Sequence, residues 1–341
     1  MTADRDPGAR TDDATAGQPG PETSGRPASS LAGSQGFVAT SYRLHAQHYD
    51  PYAAGGEMAE HTATWTRDDT VDAWRHRRMY GLLDPLIEAY PGASWVTIGD
   101  GRYGNDAHYL LSRGVNVLAT DISDTLLREA AAAGYIRKFR QENAEHLSFG
   151  DGAFEFVLCK ESYHHFPRPA LGLYEMLRVA RTAVILLEPN DRFMSEGVLE
   201  AASLAAFRLR ARLLRRPHSR NEFEVSGNYT YPVSRRELEK VALGLDLPQI
   251  AFRGFNDAYA HGVECSEAVG SSQVFRRVRR RIQALDLLTR LGLYKATNLA
   301  AALFRSEVSA AARAALHSAG FRVTDIPRNP HARGSSVQPT D

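Results

Sequence analysis

The 341-residue sequence lacks the features that mark several large classes of protein. It has two cysteines, Cys159 and Cys265, which argues against a disulfide framework or a cysteine-based zinc site and favours a reducing compartment. No run approaches the roughly 20 apolar residues of a membrane-spanning helix. Polar residues occupy the N-terminus, where a signal peptide needs an apolar core. We therefore expect a cytoplasmic protein without stable insertion in a membrane.

The sequence also has no excess of positive or negative charge. The 41 Lys and Arg residues nearly balance the 40 Asp and Glu residues, which gives a formal net charge of +1. Such a balance provides no global attraction to nucleic acid or to a membrane surface. Two arginine clusters, residues 208–220 and 276–281, are local exceptions. They either meet an anionic acceptor or lipid headgroups, or form solvated helix faces paired with acids.

Composition divides the chain into segments around a regular core. Residues 1–36 are rich in Pro, Gly, Ser, Thr, Ala and Asp, which predicts a disordered leader because they cannot bury enough apolar surface to offset their ordering entropy. Residues 37–92 contain apolar residues at helical spacing and predict a helical lid. Three further segments are expected after the core: a largely helical, substrate-binding insertion at 191–295, the last strands and helix of the core at 296–330, and a flexible tail at 331–341.

The core, residues 93–190, alternates short apolar runs with helical stretches. The runs "WVTI", "NVLAT", "FEFVLC" and "AVILLE" are too short for helices and rich in β-branched or aromatic residues, as in strands buried on both faces. Helical stretches such as "NDAHYLLSRG" and "RPALGLYEMLRVA" lie between them. This alternation predicts an α/β fold with a doubly wound, mostly parallel sheet and right-handed crossovers.

A glycine-rich loop follows the first predicted strand. The sequence "GDGRYG", from Gly99 to Gly104, fits G-x-G-x-x-G, in which glycines permit a tight turn and let backbone N–H groups approach a ligand. Asp121 ends the next strand, about 20 residues beyond the central glycine, where a carboxylate can accept hydrogen bonds from ribose hydroxyls. The combination favours an adenosine-containing ligand over the alternative of a tight turn and a helix cap.

Two ligand classes fit this pattern, a nicotinamide dinucleotide and S-adenosylmethionine. The stretches "VLATDIS", "ENAEHLSF" followed by "FEFVLC", and "YEMLRVARTAVILLEP" resemble class I S-adenosylmethionine-dependent methyltransferases, roughly from Trp95 to Pro189. The resemblance implies a Rossmann-like core, S-adenosylmethionine as cofactor with S-adenosylhomocysteine as product, and a small-molecule acceptor. No tyrosine is followed four residues later by lysine, so the catalytic pair of short-chain reductases is missing.

The resemblance also implies which residues bind the cofactor. They are Gly99, Asp100, Gly101, Tyr103, Gly104, Asp121, Ile122, Asn143, Ala144 and Lys160. The family usually has an acidic residue shortly before its glycine pair, where this chain has Thr97 or Ile98. We expect Asp100 to take over part of that residue's contact with the methionine ammonium group. Asn143 replaces the acidic residue that meets adenine, and its side-chain carbonyl keeps an acceptor.

The loop "KESYHHF" follows the fourth strand, where the methyl acceptor is expected because ligands lie beyond the carboxyl ends of the strands. We predict that His165, in preference to His164, removes the acceptor's proton, with packing of an aromatic pocket as the alternative. Glu161 is predicted to orient a histidine or to be an exposed charge. Glu188, at the end of the fifth strand, is predicted to bind acceptor hydroxyls or magnesium, or to form a cap or salt bridge.

The predicted function is methyl transfer to a hydroxyl of a small molecule. The sequence is similar to bacterial methyltransferases of sugars, polysaccharides and natural products. N-methylation of an amino sugar or another small amine, an NAD(P)-dependent oxidoreductase, and a catalytically inactive S-adenosylmethionine-binding scaffold stay open. No metal is predicted, because the histidine pair lacks His-x-x-x-His spacing. No nucleic-acid partner is expected, since an N-P-P-Y-type motif is absent, and a homodimer is left open.

Overall fold

A single mixed sheet forms the centre of the molecule. The computed structural model describes residues 29–191 and 229–328, with isolated helical positions at 202, 205, 209, 212 and 213. Its strands are β1 (Ser94–Ile98), β2 (Asn116–Asp121), β3 (Phe139–Gln141), β4 (Phe154–Lys160), β5 (Ala180–Pro189), β6 (Gln249–Phe255), β7 (Asn298–Phe304) and β8 (Arg322–Asp325). They are ordered β3-β2-β1-β4-β5-β7-β6-β8.

Five neighbouring strands are parallel, and the rest of the sheet is antiparallel. β3, β2, β1, β4 and β5 pair in parallel, whereas β7 runs antiparallel to both β5 and β6, and β8 runs antiparallel to β6. Helices join β1 to β2, β2 to β3 and β4 to β5, as short apolar strands separated by amphipathic stretches require. The predicted doubly wound α/β fold is confirmed.

Helices surround the sheet in the part of the chain that the structure describes. They are α1 (Ser29–His48), α2 (Ala59–Trp65), α3 (Val71–Tyr80), α4 (Asp84–Ala89), α5 (Asn105–Ser112), α6 (Thr125–Ala132), α7 (Pro169–Val179), α8 (Arg235–Gly244), α9 (Gln273–Arg290) and α10 (Ala310–Ser318). Thr70 begins α3 as its cap, because its hydroxyl accepts a hydrogen bond from Ala73 N at 3.0 Å. None of the described helices is long and apolar enough to cross a membrane.

Two apolar cores lie on opposite faces of the sheet. Adjacent residues of one strand alternate between them, so Trp95 packs in one core and Val96 in the other. Trp95 stacks on Phe156 of the neighbouring strand, with ring centroids 4.6 Å apart, while Val157 joins the second core. Burial on both faces explains why these runs are almost continuously apolar.

Two segment boundaries differ from the expectation. Helix α1 begins at Ser29, inside the predicted leader, and residues 1–28 lie outside the described part. Strand β6 lies inside the predicted insertion yet pairs with β7 along its whole length, from Gln249 opposite Phe304 onward. The core sheet therefore includes part of residues 191–295, because this apolar run finds its partner late in the chain. Most of the arginine cluster at 208–220, and the tail from 329 onward, also lie outside the described residues.

Candidate active site

The carboxyl ends of β1, β2, β4 and β5 meet at one edge of the sheet. Ile98 lies opposite Thr120 on one side and Cys159 on the other, and Lys160 lies opposite Leu187. The glycine loop after β1 and the histidine loop after β4 are thereby neighbours. A hydrogen bond joins the two loops, because the Ser162 hydroxyl donates to the carbonyl oxygen of Gly99 at 2.6 Å.

Two positions of the glycine loop, Gly99 and Gly101, have no room for a side chain. Gly99 has φ of +76°, and a Cβ there would lie 2.4 Å from Cβ of Ser162. A Cβ at Gly101 would lie 2.7 Å from the carboxylate of Asp121. Tyr103 and Gly104 also have positive φ, 60° and 70°, which turns the chain into α5. The loop therefore keeps its backbone close to the acid at the end of β2.

Asp121 presents an acceptor beside this loop. Its carboxylate accepts a hydrogen bond from Ser123 N at 2.9 Å and is also hydrogen-bonded by the backbone of Gly101 and Ile122. Burial raises the pKa of Asp121 to about 6, although these backbone donors oppose the change. Hydroxyl donors of a ribose would complete the hydrogen bonding of such a carboxylate.

Asp100 contacts the start of the helix that follows the glycine loop. Its buried carboxylate accepts hydrogen bonds from Thr97 Oγ1 at 2.9 Å, Asp106 N at 3.1 Å and Ala107 N at 2.9 Å. It therefore caps the first turn of α5, since the free N–H groups of a helix attract an acceptor at this end. Burial and the charge of Asp106 raise the pKa of Asp100. These donors hold the carboxylate against α5, and its expected contact with the methionine ammonium group stays a prediction.

Three other predicted cofactor residues lie after β2 and β3. Ile122 follows Asp121 directly, and its carbonyl oxygen accepts from Gln141 Nε2 at 2.8 Å. The Asn143 side-chain oxygen accepts from Glu145 N at 2.9 Å and closes a local turn. Ala144 is buried against the second core. Their contacts with an adenosine stay a prediction.

Lys160 and Glu161 form a charged group with the lid, away from the histidine pair. The Lys160 ammonium lies 2.9 Å from Glu161 Oε2 and 3.7 Å from Asp106 Oδ1. Glu161 Oε2 is also 3.8 Å from Nδ1 of His76, and Glu161 has a positive φ of 50°. Glu161 therefore faces His76 of α3, and its expected part in orienting a histidine of the site stays a prediction.

Glu188 holds His164. The Nδ1 atom of His164 lies 2.6 Å from Glu188 Oε2, and Glu188 Oε1 accepts from the backbone N–H groups of Ser162 and Tyr163, each at 3.0 Å. Glu188 is completely buried. Since a carboxylate only accepts, Nδ1 of His164 carries the proton in this hydrogen bond, and Nε2 is the basic nitrogen of that tautomer.

His165, the predicted base, contacts the lid. Its ring centroid lies 3.8 Å from that of His164 and 6.0 Å from that of His45 in α1. Glu188 thus orients His164, and the His165 ring lies beside His164 and His45. The contact between Glu188 and His164 follows from the sheet. Because β4 and β5 are adjacent parallel strands, Glu188 at the end of β5 lies beside the loop that follows β4.

Aromatic residues of the lid lie near Asp121 and the glycine loop. Tyr49 follows α1. Burial, and then the charge of the nearby Asp121, raise the pKa of Tyr49. Tyr52 stacks on Trp65 of α2, with ring centroids 5.1 Å apart. The backbone N of Ala54 donates to Glu129 at 2.8 Å, which ties the segment to α6. These aromatic residues would exclude water from the donor site.

Arg102 connects the glycine loop to the lid and was not singled out from the sequence. Its guanidinium binds Asp72 Oδ2 at 2.6 Å, lies 3.2 Å from Nε2 of His76, and stacks on the Trp65 ring at 5.0 Å from its centroid. Burial, together with the charge of Lys160, lowers the pKa of His76 to about 3, so this ring is neutral at neutral pH. The sequence feature that could have indicated Arg102 is its position inside the glycine motif.

The chemistry and shape of the loop fit an adenosine cofactor. The absence of side chains at Gly99 and Gly101 leaves backbone groups close to the Asp121 carboxylate, and Tyr49 of the lid lies near the same carboxylate. No group of three or more His, Cys, Asp or Glu side chains within the described residues has the arrangement of a metal site.

Comparison with known proteins identifies this core. Residues 96–187 match the model of the family described as "Methyltransferase domain". Residues 96–187 are therefore a methyltransferase domain, as the sequence motifs predicted. The predicted cofactor is confirmed with it.

Two curated relatives and one solved structure illustrate the similarity. The chain is 30% identical over 120 residues to a 2-methyl-6-phytyl-1,4-hydroquinone methyltransferase of Synechocystis, covering 34% of this chain and 37% of that protein. It is 31% identical over 138 residues to an uncharacterised protein of Mycobacterium tuberculosis, covering 35% and 50%. The YcgJ protein of Bacillus subtilis is 18% identical, with a TM-score of 0.45, covering 68% and 100%. The chain thus spans half or less of the length of these curated relatives.

Proposed function

We propose that the chain transfers the methyl group of S-adenosylmethionine to a hydroxyl of a small molecule, with His164 as the general base. The observation that carries the proposal is the hydrogen bond between His164 Nδ1 and the buried Glu188 at 2.6 Å. A carboxylate in this position fixes the tautomer and stabilises the imidazolium that forms when the ring takes a proton.

Each group of the site has a part in the reaction. The sulfonium cofactor supplies an electrophilic methyl group when bound. Asp121 would accept the ribose hydroxyls, and the backbone of the glycine loop would hold the adenosine. The acceptor oxygen forms the new bond to the methyl carbon as the carbon–sulfur bond breaks, and the hydroxyl proton passes to Nε2 of His164. Alignment at about 3 to 3.5 Å and exclusion of water supply most of the acceleration.

A cleft beside this edge provides room for the acceptor. It has a volume of about 790 Å³ and begins at Asn190, two residues beyond Glu188. Arg235, Arg236 and Lys295 also line it, together with Glu239, which forms a salt bridge with Arg236. Polar and charged walls suit a hydroxylated acceptor, which supports the sugar or sugar-containing metabolite predicted from the sequence. Hydroquinones are included among the acceptors to be tested, because one relative is a hydroquinone methyltransferase.

The test is methyl transfer from labelled S-adenosylmethionine to three pools of acceptors. The pools contain sugars and sugar nucleotides, amino sugars and other amines, and hydroquinones. The proposal predicts a methyl ether product from a hydroxylated acceptor and loss of that product with His164→Ala. A methylamine as the sole product would favour the N-methyltransferase alternative. Binding of S-adenosylhomocysteine with no transfer to any pool would favour a scaffold.

A further inference from the structure

Helix α9 has an unusual charge for a chain with almost no net charge. Its 18 residues contain six arginines and one aspartate. Arg277, Arg280 and Arg281 are exposed, and no salt bridge joins any α9 arginine to a described carboxylate. The single aspartate, Asp286, accepts a hydrogen bond from Asn256 Nδ2 at 2.9 Å. The positive charge of the helix therefore faces solvent without compensation from described acids.

The opposite face of α9 is fixed to the protein. Phe275, Val278 and Ile282 are buried in an apolar cluster with Val71 of the lid. The Phe275 ring packs edge-to-face on Trp74, with centroids 5.1 Å apart. Because this packing sets the rotation of the helix, the arginines are presented outward as a permanent feature of the surface.

Exposed leucines continue the surface where the arginines end. Leu287 is 57% exposed, Leu291 is 61% exposed and Leu293 is 38% exposed. Leucine side chains in water are unfavourable by roughly 25 cal/mol per Å² of apolar area, so a cluster of them marks a contact surface. Arginines beside exposed leucines on one amphipathic helix are typical of segments that lie in the headgroup region of a membrane.

The position of this surface relates it to the acceptor cleft. Thr289, Gly292, Tyr294 and Lys295, at the end of α9 and in the following loop, line the cleft of about 790 Å³ that begins at Asn190. The leucines alternate with these lining residues along the chain. A contact made by the leucines would therefore lie at the rim of the cleft.

We propose that α9 and residues 291–293 bind the surface of an anionic phospholipid bilayer, with the arginines on the headgroups and the leucines in the acyl boundary. Charge complementarity selects the anionic lipid. The leucines favour a membrane over nucleic acid, because apolar aliphatic side chains gain nothing from a phosphate backbone. The proposal does not depend on methyl transfer, since it concerns a surface outside the donor site.

The experiment is flotation of the full chain with vesicles. One set is phosphatidylcholine alone, and in the other about a third of the lipid is phosphatidylglycerol. We expect binding to the anionic vesicles, weak binding to the neutral ones, and at least about tenfold weaker binding when the salt rises from about 0.05 M to about 0.5 M. Absence of binding to anionic vesicles at low salt overturns the proposal.

Variants separate this surface from general electrostatic attraction. Arg277→Glu with Arg280→Glu and Arg281→Glu should lower vesicle binding at least about tenfold. The control Arg128→Glu with Arg137→Glu and Lys138→Glu makes the same change in net charge near β3 and should bind like the wild type. Equal losses in both triple variants would contradict a specific surface. Binding of S-adenosylhomocysteine and the melting temperature show that each variant is folded.

The leucines provide a second, independent test. Leu287→Ser with Leu291→Ser should weaken vesicle binding at least about threefold at both salt concentrations, because an apolar contribution is not screened. Unchanged binding in this double variant, with competition by RNA for the wild type, would overturn the membrane surface in favour of a nucleic-acid surface.

Discussion

His164 and Glu188 are joined by a hydrogen bond of 2.6 Å between Nδ1 and Oε2 at the carboxyl ends of two adjacent strands. The other carboxylate oxygen holds the backbone of Ser162 and Tyr163. Glu188 thus fixes both the course of the loop and the tautomer of the ring. A structural cap alone would explain the backbone contacts, whereas the buried bond to the imidazole also orients the ring, as the proposed base requires.

Glu188→Gln should reduce methyl transfer more than it reduces cofactor binding. An amide oxygen can still accept from the backbone of Ser162 and Tyr163, but the amide NH₂ then faces the protonated Nδ1 of His164. The ring must turn or change tautomer, so we expect the single-turnover rate to fall about 10²-fold, within the range found for acid–base groups. Calorimetry with S-adenosylhomocysteine should give nearly the wild-type affinity. A wild-type rate would show that the carboxylate has no part in orienting the base.

The affinity for S-adenosylhomocysteine should depend on pH through Asp121. Its pKa is raised to about 6, so the carboxylate is ionised at neutral pH and becomes protonated as the pH falls through that value. The ionised form accepts more strongly from ribose hydroxyls, and affinity should therefore be constant above about pH 7 and fall up to about tenfold per pH unit below 6. Titration calorimetry at several pH values measures this.

Asp121→Asn supplies the control for that pH dependence. The variant should bind at least about tenfold more weakly at pH 7.5, roughly 1.4 kcal/mol, and its affinity should no longer change between pH 5 and 7. The same pH dependence in the variant would assign the titration to another group.

Gly101→Ala should weaken the donor site without unfolding the core. The new Cβ would lie 2.7 Å from the Asp121 carboxylate, so either the loop or the acid must move. We expect at least about tenfold weaker binding of S-adenosylhomocysteine. Gly244→Ala is the matched control, because a Cβ there has no atom within 4 Å. Equal affinities in the two variants would mean that the close approach of Gly101 to Asp121 is unimportant for the cofactor.

Arg102→Ala should loosen the lid. The change removes the contacts of the guanidinium with Asp72, His76 and Trp65, which join the glycine loop to α2 and α3. We expect faster proteolysis within residues 49–70 and a higher KM for S-adenosylmethionine. Arg113→Ala removes an exposed salt bridge to Asp84 and serves as the control, since such pairs contribute about 0 to 1 kcal/mol. Equal proteolysis of both variants would contradict the role of Arg102.

Local sequence was sufficient for the parallel half of the sheet. The runs that became β1, β2, β4 and β5 are short, apolar and separated by amphipathic helices, so their period and length both predict buried strands. The position of β6 was not predictable in the same way. Its run "QIAFRGF" is paired through β7, about 50 residues further on, and a pairing at that distance leaves no local pattern.

The sequence predicted which loops meet at the site, but it did not predict which side chains are hydrogen-bonded to each other there. Glycine spacing placed the donor loop and Asp121 correctly at one edge, because the carboxyl ends of parallel strands converge. The assignment of a carboxylate to a histidine depends on side-chain directions, which adjacent residues such as His164 and His165 do not reveal. Thr97 and Asp100 show the same limit, since only the start of α5 explains why Asp100 turns toward the helix.

The most direct test of the proposed base compares His164→Ala with His165→Ala in single-turnover methyl transfer. Both variants should bind S-adenosylhomocysteine within about threefold of the wild type. We predict that His164→Ala lowers the rate about 10² to 10⁴-fold, and His165→Ala much less, because only the first removes the ring that Glu188 orients. A large loss in His165→Ala with a nearly unchanged rate in His164→Ala would contradict the account and return the proton transfer to His165.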